Sequence, residues 1–203
     1  MKIIAIGWNY ANHNSEMGRV ETPTTPTIFM KPDTSILKDG KDFYIPDFSD
    51  QIEYETEIVI RISRVGKNIS AKFANRYYDA VTVGIDVTAR DLQERLRKEG
   101  QPWEISKAFD NSAIIGEFSP TEDLNMQDLH FKMELNGEKR QEASSSEMIF
   151  SIDQIVEYVS RYVTLKKGDL IFTGTPTGVG RLAIGDKICG YLQENKVLEF
   201  SVK

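Results

Sequence analysis

Residues 55–62 read Glu55-Thr56-Glu57-Ile58-Val59-Ile60-Arg61-Ile62, and this stretch sets the fold class. The β-branched run from Glu57 to Ile62 reads as a strand. Period-2 geometry places Glu55 and Glu57 on one face at its entrance. Two carboxylates on one face repel each other. A solvated face tolerates such a pair cheaply, because charged residues are mostly exposed, and a divalent cation is the sharper explanation.

Outward from this stretch, short runs of the same character recur at Lys2–Ile6, Thr27–Lys31, Val81–Asp86, Phe131–Leu135, Leu170–Thr173, Lys187–Tyr191 and Val197–Val202. The protein is therefore expected to be mainly β. Asn136-Gly137 follows the alternating Phe131-Lys132-Met133-Glu134-Leu135, a pattern that predicts a type I′ hairpin with Phe131, Met133 and Leu135 facing one side. Three helices are predicted. The clearest begins at Ser151, with Gln154 completing a capping box ahead of Ile152, Ile155, Val156 and Val159. A second runs from Thr88, read as its N-cap, through Leu92 and Leu96 to Gly100, and a third spans about Ser70 to Asp79.

A chain of 203 residues suits one sizeable core, so a single domain over 1–203 is expected. Apolar residues make up 40% and charged residues 28%, which is globular composition. The formal charge of -6 gives nucleic acid and anionic membranes no general attraction to the chain, so neither is an expected partner. No stretch approaches the length of a membrane span, and the first residues do not resemble a signal peptide. The lone Cys189 cannot form an internal disulfide and reads as a small hydrophobe, which points to a reducing, cytoplasmic location.

Asp86 ends the apolar run Val81-Thr82-Val83-Gly84-Ile85, where a side chain commonly points into a site, although an N-terminal cap or turn residue is the plainer reading. Together with Glu55 and Glu57 it would make a hard-oxygen site suited to Mg2+ or Mn2+, with positions left for water or substrate. His13 and Glu16 lie three apart and share a face if their segment is helical. A carboxylate beside an imidazole orients it and raises its basicity, as a general base requires, while a loop histidine with a chance neighbour is the alternative. Thr22-Pro23-Thr24-Thr25-Pro26 follows, so residues 8–26 are expected to form a mobile lid on a stiff base. Lys107 lies in a run too mixed for a solvated charged face, and a buried lysine needs an anionic partner such as a substrate carboxylate or enolate. Lys31 has the same character, although a snorkelling strand-end lysine is the commoner case. The stretch Gly174–Gly180 lacks the Gly-Lys-Ser/Thr ending of a phosphate loop and reads as a rigid turn.

Several motifs, in order, resemble the fumarylacetoacetate hydrolase superfamily, in particular its small single-domain branch of acylpyruvate hydrolases and oxaloacetate decarboxylases. They are Gly7-Trp8-Asn9-Tyr10 with His13 and Glu16, Phe29-Met30-Lys31-Pro32, Glu55-Thr56-Glu57, Asp86 through Gln93, and Trp103 with Lys107 and Phe109-Asp110. Asn136-Gly137-Glu138 with Arg140-Gln141, and Gly168 through Gly180, complete the series. The resemblance covers almost the whole chain. It implies an α+β, mainly β fold of several layered mixed sheets, a homodimer, and a small 2-oxo acid substrate. By position it makes Glu55, Glu57 and Asp86 the metal ligands, His13 and Glu16 the lid dyad, and Lys107 a substrate contact near the metal. Arg90 and Gln93 match polar residues around the site, and Thr175 matches a threonine that meets the substrate carboxylate.

Two positions depart from the pattern. Trp8 stands where this branch usually carries arginine, which disfavours a dicarboxylate such as oxaloacetate and favours an acylpyruvate with an apolar tail. Glu53 stands where histidine is expected and adds negative charge near the metal. The implied reaction is hydrolysis of an acylpyruvate through a pyruvate enolate, with His13 activating water. Decarboxylation of oxaloacetate and isomerisation of a 2-hydroxy-diene diacid are the catalytic alternatives. A non-catalytic metal-binding homologue is the rival of another class, and the intact His13, Glu16 and Lys107 argue against it.

Overall fold

The computed structural model describes residues 1–18, 21–37 and 40–203. The expected lid segment includes residues 19–20, which lie outside the described residues. A mixed sheet of eight strands forms the centre, in the order Thr27–Lys31, Ile3–Gly7, Leu170–Phe172, Thr56–Ile62, Tyr78–Asp86, Ala113–Ile115 and Ile36–Leu37, with Ser119–Pro120 paired to the Tyr78–Asp86 strand. Two pairings are parallel, Ile3–Gly7 with Leu170–Phe172 and Ile36–Leu37 with Ala113–Ile115. An antiparallel sheet of four strands, Glu138–Ser144, His130–Leu135, Lys187–Leu192 and Asn195–Ser201, covers part of it, and a small sheet joins Gly180–Arg181, Ile52–Tyr54 and Thr88–Ala89. The mainly β expectation holds.

The central strand explains the layering. Ile58, Ile60 and Ile62 point to one side, into a core shared with Val81, Val83, Phe131 and the helix Ile152–Tyr162, while Val59 points to the other, against Ile3, Ala5, Phe29 and Phe172. Each such side chain contributes about 1.5–3 kcal/mol when fully buried. Glu57 shares the Val59 side by the same period, so the fold draws it into the interior beside Phe29 and Trp103 rather than toward water.

Four α-helices occur among the described residues: α1, Ala11–Glu16; α2, Arg90–Glu99; α3, Glu104–Lys107; and α4, Ile152–Tyr162. The capping box predicted for α4 is formed, with Ser151 Oγ accepting from Gln154 N and Gln154 Oε1 accepting from Ser151 N. Asn136 and Gly137 both take positive φ, as a type I′ turn requires. Two expectations change, and one short helix was not expected. Thr88 is not a cap: it sits in a short strand opposite Glu53, and α2 starts at Arg90 after Ala89 with no side-chain cap. The third predicted helix is a 3-10 turn, Ala71–Arg76, because Tyr78 onward is claimed by the long central strand. The helix α3 is only one turn, too short to leave a periodic signature. No helix of the described residues is long and apolar enough to cross a membrane.

Candidate active site

Two adjacent antiparallel strands build the acidic cluster. Glu57 lies opposite Gly84 and Thr56 opposite Ile85, and Asp86 N donates to Glu55 O at 2.8 Å, so Glu55 stands across from Asp86 on the face that carries Glu57. One carboxylate oxygen from each of Glu55, Glu57 and Asp86 falls within 4.8 Å of the others, and all three residues are buried. The predicted triad is brought together.

Cations surround it. Lys107 Nζ donates to Glu55 Oε2 at 2.7 Å, Asp86 Oδ2 at 2.9 Å and Thr88 Oγ1 at 2.6 Å. Lys31 Nζ pairs with Asp86 Oδ1 at 2.6 Å and also reaches Ser112 Oγ and the carbonyl of Ser112. Lys31 is thus the counter-ion of a fully buried aspartate, which differs from the substrate contact expected of it: an acid with no exposed surface needs a charge partner inside the protein. Arg90 donates from Nη2 to Glu55, from Nε to Glu53 at 2.7 Å and from Nη1 to Gln93 at 2.6 Å. The added charge of Glu53 is therefore absorbed by Arg90, with Gln51 Nε2 also donating to it at 2.6 Å.

Of the triad, only Glu57 lacks a cation of its own among the described residues, its Oε2 accepting instead from Gly174 N at 2.7 Å. Burial, reinforced by the charges of Asp86 and Glu55, pushes the Glu57 carboxyl well above the usual carboxylate range. Glu55 moves the other way: burial alone would raise it, but Lys107 and Arg90 pull it far below the usual range. Burial lowers the Lys31 ammonium in spite of Asp86, whereas for Lys107 the pull of Asp86 and Glu55 overcomes burial and raises it. Three converging carboxylates, one of them without a counter-charge, fit a hard divalent cation.

His13 lies across the cavity on α1, buried, with Nδ1 at 3.0 Å from Glu16 Oε2, while Glu16 Oε1 accepts from Gly178 N. The expected dyad is formed and tied to the 174–180 turn. A cavity of about 30 Å³ separates it from the acids, lined by His13, Trp8, Met17, Glu55, Glu57, Arg90, Gln93, Lys107 and Thr175 with the apolar walls Phe29 and Trp103. Trp8 stacks on His13 at 6.2 Å between ring centroids. Beside Trp8, whose place in the sequence favours an apolar tail, the structure also sets a charge: the Arg97 guanidinium stands 5.3 Å from the indole centroid.

Three supporting residues had no role assigned from the sequence. Asn9 ties the first loop to the turn, donating from Nδ2 to Thr173 O and Phe150 O and accepting from Phe150 N. Gly174 adopts φ +101 directly against it, where an added Cβ would lie 2.7 Å from Asn9 Cβ, so only glycine fits. Gln141 accepts from Thr56 N and donates to Thr175 Oγ1 and Pro176 O, each at 2.9 Å, fixing Thr175 beside the acid-bearing strand. The signal for Gln141 was a glutamine in a strand whose alternate residues are buried, which a sequence does not display without its partners.

The chain matches the model of the family described as fumarylacetoacetate (FAA) hydrolase C-terminal over residues 2–203. The mitochondrial oxaloacetate tautomerase FAHD1 of Mus musculus is 37% identical over 202 residues, spanning 99% of this chain and 91% of the mouse protein. The crystal structure of fumarylpyruvate hydrolase from Pseudomonas aeruginosa in complex with Mn2+ and pyruvate is similar with a TM-score of 0.94 at 34% identity, covering 100% of this chain and 89% of that one. That of 5-carboxymethyl-2-hydroxymuconate delta-isomerase from Mycobacterium smegmatis gives a TM-score of 0.87 at 37% identity, covering 99% and 78%.

Proposed function

Because the chain belongs to the fumarylacetoacetate hydrolase family, we propose that it is a divalent-metal-dependent hydrolase that cleaves a carbon–carbon bond in an acylpyruvate-type 2,4-dioxo acid. The observation that carries this reading is the Glu16-oriented His13 facing the acidic triad across one small cavity. A divalent cation held by Glu55, Glu57 and Asp86, Mg2+ or Mn2+ by their donor chemistry, supplies Lewis-acid stabilisation of negative charge on the oxygens of a 2-oxo acid.

The chain's own residues do the rest. Glu16 holds the Nδ1 proton of His13, which leaves Nε2 as the base. His13 removes a proton from water as the oxygen attacks the C4 carbonyl; the C3–C4 bond then breaks, its electron pair forming the pyruvate enolate, and the proton returns to C3. Arg90, Gln93 and Thr175 offer donors to the substrate oxygens, and Lys107 lies close enough to share the developing negative charge. Trp8, Met17, Phe29 and Trp103 limit access of bulk water. The cavity is too small for any 2-oxo acid, so substrate entry requires the Trp8–Met17 side to move, in keeping with a lid.

The mouse relative supports a second reading, interconversion of enol and keto oxaloacetate, in which His13 moves the same proton with no attacking water. Decarboxylation of oxaloacetate, through the same enolate, needs neither. The test is turnover of acetylpyruvate, enol-oxaloacetate and oxaloacetate by the parent and by His13→Ala, with Mn2+ present. Hydrolysis is expected to fall by on the order of 10²–10⁴-fold, with decarboxylation little changed. Hydrolysis at the parent rate in the variant would remove His13 as base, and tautomerisation without hydrolysis in the parent would select the second reading.

A further inference from the structure

The helix α2 runs outward from the acidic cluster. Arg90, at its first turn, binds Glu55, and Gln93 lines the cavity. At 100° per residue Arg97 returns to within about 20° of the Arg90 direction, and it lies about 10.5 Å further along the axis. Arg90 is buried and Arg97 exposed, so one helix face descends from the surface to the triad carrying Arg97, Gln93 and Arg90 in sequence.

Arg97 is placed by Trp8. Its guanidinium carbon lies 5.3 Å from the indole centroid, within cation–π range, and it forms no ion pair among the described residues. Trp8 lines the cavity and stacks on His13. It also holds φ +66, a left-handed conformation that costs a bulky residue energy, with Asn14 Nδ2 donating to its carbonyl at 3.2 Å. A strained aromatic, pinned beside the base and carrying a guanidinium over its ring, is a poor device for an apolar tail. It is a good one for an anion at the far end of a substrate whose near end lies at the triad.

We propose that Arg97, carried over the ring of Trp8, is a specificity-determining residue that receives a second, distal carboxylate of the substrate, so that the favoured class is an extended dicarboxylic 2,4-dioxo acid. This rests on the hydrolase reading above and goes beyond it by fixing the substrate's far end. Arg97 stands about 10.5 Å beyond Arg90 along the axis, so a diacid held at the triad needs an extended chain to carry its second carboxylate to Arg97, and oxaloacetate is too short for that rise. Lysine at position 97 keeps the charge but loses the planar stacking on the indole and the forked donors.

The test compares kcat/KM for fumarylpyruvate and for acetylpyruvate, with Mn2+, in the parent, Arg97→Gln and Arg97→Lys. The glutamine variant is expected to lower the fumarylpyruvate-to-acetylpyruvate ratio by about tenfold to a hundredfold, the range for losing a hydrogen bond to a charged group, mainly through KM, and the lysine variant by less. Since Arg97 is exposed and caps no buried acid, folding is not at issue. A ratio unchanged in Arg97→Gln, or a loss spread equally over both substrates, overturns the proposal while leaving the hydrolase reading intact. A parent that hydrolyses neither substrate overturns both.

Discussion

Replacing Lys107 by methionine removes a buried ammonium while keeping much of its volume. Lys107 is 3% exposed and donates to Glu55, Asp86 and Thr88, so the substitution strands two buried carboxylates that share it. Breaking a buried ion pair from one side costs about 3–5 kcal/mol. For a domain of this size that lowers Tm by about 6–20 °C, at about 2–4 °C per kcal/mol. Arg90 still holds Glu55 and Lys31 still holds Asp86, which favours the lower half of the range. The same charge deficit makes the triad hungrier for a cation. Mn2+ should therefore raise the Tm of Lys107→Met by more than it raises the parent's, and calorimetric titration should show tighter Mn2+ binding in the variant. The assay is differential scanning calorimetry of both proteins with and without saturating Mn2+. A variant that melts with the parent, or an equal Mn2+ shift in the two, would refute the idea that Lys107 and a divalent cation serve the same oxygens.

Three other outcomes follow from the site's contacts. Glu57 is held well above the usual carboxylate range, so a proton competes with the cation for it; Mn2+ affinity should keep rising with pH above the range where ordinary carboxylates have already ionised and protons should be released on binding, whereas a flat profile would mean that Glu57 does not ligate. The same shift works against stability as pH rises: folding favours the protonated carboxyl, so its contribution is complete below the unfolded value and is lost toward the raised folded one. Gln141→Leu leaves Thr56 N without its acceptor and frees Thr175, and should cost about 1–3 kcal/mol by urea denaturation together with a higher KM; an unchanged midpoint would show that the Gln141 contacts are dispensable.

The parts of this site that the sequence displays are those carried by local spacing. Glu55 and Glu57 announce a shared face by being two apart, and Ser151 with Gln154 announces α4 by being three apart. What it hides is register. Nothing local says that Glu55 stands across from Asp86, or that Lys31 answers Asp86 at a distance of 55 positions, and so Lys31 reads as a residue in search of a substrate. Thr88 fails as a cap for the same reason, since its pairing with Glu53 outweighs its local preference. The i, i+3 and i+7 spacing of Arg90, Gln93 and Arg97 was visible, but the direction of that face depends on where α2 docks. Glu53, an unexplained charge in the sequence, becomes half of a clamp on Arg90 once the fold closes.

The charges around the triad bear on what can bind there. Lys31, Lys107 and Arg90 oppose Glu53, Glu55, Glu57 and Asp86, and in the form where Glu57 carries the proton that burial and its acidic neighbours favour, the group is neutral. Exchanging that proton for a divalent cation leaves one positive charge in excess, in a region where an uncompensated charge is costly. A single substrate carboxylate cancels it. An enolate formed from that substrate adds one negative charge, and the proton then held by His13 restores neutrality across the cavity. The cation and the 2-oxo acid therefore bind better together than apart, and the protonated imidazole is matched to the oxyanion formed by attack and to the enolate that follows it, and to no species before the attack. Preference for a charge distribution that exists only in the course of the reaction is what separates a catalyst from a binder. A metabolite-binding protein with this fold would gain nothing from a histidine held by Glu16 at 3.0 Å and facing buried acids.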